Sequence, residues 1–289
     1  MSNFWLYVVT VLIWGTTWFA IRLQLGVVAV EVSVFYRYVL ATTILLLVCL
    51  LKKQSLRYSL HSHIYMALQG IFLFCINYIL FYYASYELAT GLVSVMFSTV
   101  VLMNVLNGRL FANQVIKPMV VVGGILGLLG LTLIFIPELK TMENTAKVKF
   151  SIILCVLATM SASLGNVLTL RNKANGVSVV PATTWGMFYG TVATLIYLLF
   201  KGVSFNFDVS FAYVSSLMYL AVFGSAIAFL CYLTLIENIG ADKASYTSVM
   251  FPVVALLMST LFEGYQWTWL ALIGMSLVMC GNFLVLKTE

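Results

Sequence analysis

Charge is what this sequence has least of. Only 8% of its 289 residues are charged, 15 basic and 9 acidic, while 63% are hydrophobic. A water-facing surface takes roughly a quarter of its residues charged, so a soluble globule is excluded and lipid must solvate the chain. No Asp or Glu falls near the middle of an apolar run, which removes the carboxylate expected of an intramembrane proton relay. The two histidines, His61 and His63, stand together in a basic loop without an acidic or thiol companion. That pair reads as a solvated loop, and no metal site or cofactor is implied. The five cysteines, Cys49, Cys75, Cys155, Cys231 and Cys280, are odd in number and fall within apolar runs. They read as small buried packing residues, not a disulfide framework. There is no P-loop and no soluble domain to hydrolyse ATP. A membrane-embedded enzyme would need nucleophile, base or metal ligands converging at one depth, and without mid-span His, Asp or Glu the chain is not read as an enzyme. No basic cluster with interleaved aromatics sits on a water-exposed element, so the net charge of +6 is no sign of nucleic-acid binding.

What is present is apolar length. A hydrocarbon core about 30 Å thick takes about 20 residues per helix, and ten runs of that order occur, at about 4–21, 32–51, 64–85, 88–108, 118–136, 150–170, 180–200, 211–236, 244–262 and 267–286. Charged or turn-forming pieces separate them, among them Lys52-Lys53-Gln54, Asn113-Gln114, Pro137-Glu138-Leu139-Lys140 and Gly240-Ala241-Asp242-Lys243. Continuous runs argue for helices, because a membrane barrel reads as segments of about ten alternating residues. The first run carries Trp5, Trp14 and Trp18 behind an uncharged prefix, which favours a retained helix over a cleaved signal peptide. With the amino terminus cytoplasmic, the inner loops hold Lys52, Lys53, Arg57, Arg109, Lys117, Arg171, Lys173, Lys243 and Lys287, nine against the outer five of Arg22, Lys140, Lys147, Lys149 and Lys201. The positive-inside rule then places both termini in the cytoplasm. Only Arg37 remains well within a span.

The chain also repeats itself. At an offset of 154, residues 65–102 align without gaps on 219–256, and Tyr65/Tyr219, Ala67/Ala221, Gly70/Gly224, Tyr78/Tyr232, Ser94-Val95-Met96-Phe97/Ser248-Val249-Met250-Phe251, Val100/Val254 and Leu102/Leu256 are identical. Gly123 and Gly130 meet Gly274 and Gly281 at an offset of 151, and Gly15 meets Gly165 at 150. The expectation is an all-α membrane protein of ten transmembrane helices, built as two five-helix repeats over 1–143 and 144–289. Because five is odd, the second copy enters from the opposite side, and inverted repeats of this kind support alternating access.

The ten-helix plan, Trp14-Gly15 in the first helix, Arg37-Tyr38 early in the second, and Pro252 with Leu261-Phe262-Glu263 ahead of the Gly274/Gly281 helix resemble the drug/metabolite transporter superfamily, in its EamA-like branch. The family pattern places a proline in, and an acidic residue at the end of, the fourth and ninth helices. Here the second half keeps Pro252 and Glu263, whereas the first half has Ser98 and Arg109. The resemblance implies a secondary exporter or facilitator of small metabolites such as amino acids in a bacterial inner membrane, as monomer or homodimer. A channel or a lipid-handling protein is the alternative.

Candidate substrate-binding residues follow from chemistry at depth. Arg37 is costly in a span unless it faces a partner or a wet cavity, or snorkels to the interface. Asn77, Tyr78, Asn166 and Tyr232 bring polar groups to mid-span from three helices, and Thr17 adds one from the first. Trp14, Phe81 and Trp185 are rings deep enough to line a pocket, with Tyr82 and Tyr189 nearby in sequence. Ser94 and Ser248 are matched across the repeat, and Pro252 would free the Ser248 carbonyl as a hinge, with Glu263 as a gate. The paired glycines read as close-packing faces, either within the chain or between copies.

Overall fold

A computed structural model describes residues 2–112, 118–141, 145–239 and 247–288. The turns at Asn113-Gln114 and Gly240–Lys243, the junction between 143 and 144, and the side chains of Lys117, Lys140, Lys243 and Lys287 lie outside the described residues. Among those that are described every regular element is helical. The helices are α1 (Asn3–Arg22), α2 (Val30–Leu51), α3 (Leu60–Ala84), α4 (Thr90–Ser98 continued by Val100–Ala112), α5 (Pro118–Thr141), α6 (Thr145–Ala174), α7 (Val179–Lys201), α8 (Phe211–Tyr219 through Ala228–Ile239), α9 (Thr247–Phe262) and α10 (Trp269–Thr288). Eight have the length and apolarity to cross a membrane, and α9 and α10 are shorter apolar helices. The histidines are not in a loop, because α3 begins at Leu60. Ser59 caps it by accepting from the Ser62 amide at 3.2 Å, a favoured N-terminal arrangement. His61 therefore meets Arg171 and His63 meets Tyr189, both at 2.9 Å. At the other end of α7, Gly202 takes the left-handed conformation that stops a helix cheaply only in glycine.

Two helices are locally unwound. α3 is π-helical over Ile71–Ile76 and α8 over Leu220–Ile227. Single π turns interrupt the regular ladder and recur at functional sites. Both occur in helices that the sequence repeat pairs.

Packing relies on backbone approach. α5 and α10 cross so closely that a Cβ on Gly130 would lie 2.4 Å from the Gly274 carbonyl oxygen, and one on Gly281 2.4 Å from that of Gly123. The glycine faces thus meet within the chain. Small residues play this part in membranes because lipid tails supply no hydrophobic drive between helices. Gly70 of α3 touches Gly186 and Gly190 of α7 in the same manner. Of the cysteines, Cys49, Cys75 and Cys155 are buried, Cys231 is half-buried and Cys280 is exposed. The expectation of uniform burial therefore fails at α10, whose Cys280 lies off the face packed on α5.

One face of the bundle holds the start of α1 and the opposite, distal face its end. At the distal face Arg22 donates to the Ser85 carbonyl at 2.6 Å, Gln24 donates to the Tyr213 carbonyl and the Ser216 hydroxyl, and Lys201 pairs with Glu31 at 3.6 Å. These bonds gather the ends of α1, α3 and α7 with the starts of α2 and α8.

Candidate transport cavity

The first half of α4 and the second half of α9 are pressed together at the distal face. A Cβ on Gly91 would lie 2.8 Å from Leu256 Cα, and the Gly91 amide donates to Ser259 Oγ at 2.7 Å. Glu263, just past α9, accepts from the Thr90 amide at 3.0 Å and the Thr90 hydroxyl at 2.9 Å, and also from the Ser259 hydroxyl. A carboxylate on the amides of a helix N-terminus, which have no intrahelical acceptor, is favourably placed, since the helix dipole is positive there. Beyond Thr99 the two helices part: Val100–Ala112 packs on α6, and α9 packs on α1.

A cavity of about 180 Å³ occupies the space opened by this divergence. Four rings stand at its distal end. Trp18 meets Phe81 and Phe97 at centroid separations of 5.3 and 5.6 Å, and Phe97 stacks on Phe251 at 5.8 Å. Trp14, Tyr78, Phe229 and Tyr232 line the walls, so aromatic rings are the commonest side chains of the lining. Trp14 lies 5.0 Å from Tyr232 and donates from its indole to the Gly224 carbonyl at 3.2 Å. That carbonyl belongs to the π-helical part of α8, where the broken ladder leaves room for an outside donor.

Most polar groups in the lining already bond to protein. Asn77 donates to the Ala158 carbonyl at 2.9 Å, Asn166 to Asn104 at 3.3 Å and Thr17 to the Trp14 carbonyl at 2.7 Å. Arg37 differs. Its Nε donates to Ser225 Oγ at 3.1 Å, and its guanidinium lies 4.5 Å from the Tyr78 ring and 5.6 Å from the Tyr38 ring. A Cβ at Gly224 would crowd Thr17 at 2.7 Å and touch Arg37 Nη2 at 3.4 Å, so glycine there lets α1 pack closely on α8 beside the guanidinium. Nη1 is buried and has no partner among the described residues. Arg37 is 1% exposed, which removes the snorkelling reading. No described Asp or Glu lies within ion-pairing distance of it.

Of the substrate-binding candidates, Trp14, Thr17, Arg37, Asn77, Tyr78, Phe81, Asn166, Tyr232 and Ser248 line the cavity. Ser94 does not. It is fully buried in the tight part of α4, where the helix is pressed on α9. Trp185 does not either, because its indole donates to the Leu56 carbonyl at 3.1 Å and it packs on His63 and Tyr189. Pro252 is buried within α9, one residue from the ring layer. Sequence reasoning missed Phe97, Asn104, Phe229 and Thr247. Asn104, an amide within an apolar run, was the available signal. Among the described residues no group of three His, Cys, Asp or Glu side chains could hold a metal ion.

Comparison with known proteins agrees with this architecture. The model of the EamA-like transporter family matches residues 1–136 and again 149–287. Protein PagO of Salmonella typhimurium is 24% identical, the alignment covering 97% of this chain and 91% of that protein. The uncharacterized inner membrane transporter YedA of Escherichia coli K12 is 27% identical over 94% and 89% of the two chains, and the uncharacterized transporter YoaV of Bacillus subtilis 23% over 94% and 92%. A crystal structure with 13% sequence identity superposes with a TM-score of 0.70, covering 98% of this chain and 96% of that one, which shows a shared fold. With family matches spanning both halves of a helical membrane bundle, the chain belongs to the EamA-like transporter family of the drug/metabolite transporter superfamily.

Proposed function

We propose that this protein is a secondary carrier that exports or equilibrates small metabolites of amino-acid size by alternating access, with both termini in the cytoplasm of a bacterial cell. The observation that carries the reading is the cavity between α4 and α9, sealed at the distal face by Gly91, Leu256 and Glu263 while the helices diverge beyond Thr99. In the proposed orientation this is the state that faces the cytoplasm.

Two five-helix units, 1–143 and 144–289, related by a pseudo-two-fold axis in the membrane plane, would supply the second state. Several contacts support that symmetry. The repeat pairs Gly123 with Gly274 and Gly130 with Gly281, yet the contacts run Gly123 to Gly281 and Gly130 to Gly274. Such crossed pairing is what a two-fold axis imposes on a self-complementary interface. Phe97 and Phe251, repeat mates, stack on each other, as residues at the axis must. Exchanging the conformations of the two halves then closes the open end of the α4/α9 pair and opens the sealed one.

Counterflow in proteoliposomes tests the function. Vesicles loaded with an unlabelled metabolite of this size should transiently accumulate the labelled compound against its gradient when the protein is present. A channel gives no overshoot, and equal retention with and without protein across amino acids and related carboxylic acids contradicts the proposal.

A further inference from the structure

The charge of the cavity points to a narrower cargo. This inference rests on the carrier reading and deepens it. The lining contains one ionised group, Arg37, and no described Asp or Glu. Burying a cation without a counterion is strongly unfavourable. The tyrosine faces of Tyr38 and Tyr78, the Ser225 hydroxyl and the nearby Tyr82 hydroxyl offset part of that cost, but none carries a negative charge. Nη1 remains without a hydrogen-bond acceptor among the described residues. A guanidinium presents parallel N–H donors that match a carboxylate bidentately.

We infer that the transported substrate is a monovalent carboxylic acid with a flat, ring-bearing apolar body, and that Arg37 neutralises its charge. One fixed positive charge balances one negative charge; a dianion such as a phosphate monoester would enter the aromatic walls with charge left over. The body is set by Trp14, Tyr78, Phe229 and Tyr232, whose rings offer apolar faces and offset stacking. A zwitterion would bring an ammonium into a lining that holds no described carboxylate. An amine would meet Arg37 as a like charge.

Three compounds of one shape and different charge test this: 3-phenylpropanoate (−1), phenylalanine (zwitterion) and phenethylamine (+1). Ligands that bind only the folded state raise its melting temperature, so thermal shifts of the purified full-length protein rank them directly. The acid should bind at least about tenfold more tightly than phenylalanine, and phenethylamine should give no shift. Arg37→Gln, checked for an unchanged ligand-free melt, should erase the acid's advantage. Arg37→Lys, which keeps the charge and loses the fork, should retain the order with weaker binding. If Arg37→Gln melts early, the ranking by wild type and Arg37→Lys decides. Stronger binding of phenylalanine or phenethylamine, an acid shift indifferent to Arg37→Gln in a folded protein, or no shift from any of the three overturns the inference. Counterflow of the same compounds separates the two readings. Protein-dependent counterflow of phenylalanine or the amine, insensitive to Arg37, leaves the carrier standing and removes the anion assignment. Arg37-dependent acid binding without counterflow does the reverse.

Discussion

A Gly130→Leu variant is expected to melt well below the wild-type protein in detergent, and Gly274→Leu to do the same. The reason is backbone contact. Even the first carbon of a side chain at Gly130 would meet the Gly274 carbonyl oxygen at 2.4 Å and the Val278 amide at 2.9 Å, and no rotamer relieves a clash at Cβ. Overpacking of an ordinary core costs about 1–3 kcal/mol. Here the whole α5/α10 crossing must separate, so the loss should reach or exceed the upper end. Gly127 provides the control on the same helix. A Cβ there meets nothing within 4 Å, and Gly127→Ala gains about 1 kcal/mol of helix propensity. Tryptophan-fluorescence melts of the three variants check the prediction. A Gly130→Leu protein as stable as Gly127→Ala would mean that the α5/α10 crossing is not as close as described.

Gly91→Val should behave oppositely, leaving a folded protein that does not transport. Its clash is equally direct, with Leu256 Cα at 2.8 Å and Ser259 Oγ at 2.9 Å, but the contact belongs to the distal seal, which the proposed cycle must break and remake. Opening relieves the strain without unfolding the bundle. A penalty of about 1–3 kcal/mol on the sealed state shifts the balance toward distal opening by roughly 5–150-fold. Counterflow should fall by a comparable factor while the melting temperature changes little. A Gly91→Val carrier with wild-type counterflow, or one that unfolds like Gly130→Leu, would place the distal contact in the static scaffold.

These two glycines also mark what the sequence could and could not specify. The seven-residue spacing of Gly123 and Gly130, matched by Gly274 and Gly281, put each pair on one helical face, so a close contact was legible. Its partner was not, because a helix face carries no record of which surface opposes it. Arg37 stood out as a charge in an apolar run, but its environment is assembled by Tyr78 of α3 and Ser225 of α8, some 40 and 190 residues away. Spacing cannot report such neighbours. Ser94 and Trp185 show the converse. Ser94 matches Ser248 across the repeat, yet its half of α4 is the half packed shut. Trp185 was deep enough for a pocket, but the start of α3 turns its indole to the Leu56 carbonyl. Local polarity identified candidates, and the divergence of α4 from α9 decided which ones share a cavity.

The divergence of α4 from α9 is tested most directly by the distance between them at each end. Spin labels at Tyr86 and Gln266 report the distal end, and labels at Phe111 and Met250 the other, all at exposed positions, in a background lacking the accessible Cys231 and Cys280. Pulsed electron–electron resonance on reconstituted protein should resolve two distances at each pair. Their populations should be anticorrelated, so that the short distal distance accompanies the long one at the opposite end, and a bound substrate or Gly91→Val should shift both in opposite senses. A single distance at each end, unmoved by substrate and by Gly91→Val, would contradict alternating access by this protein.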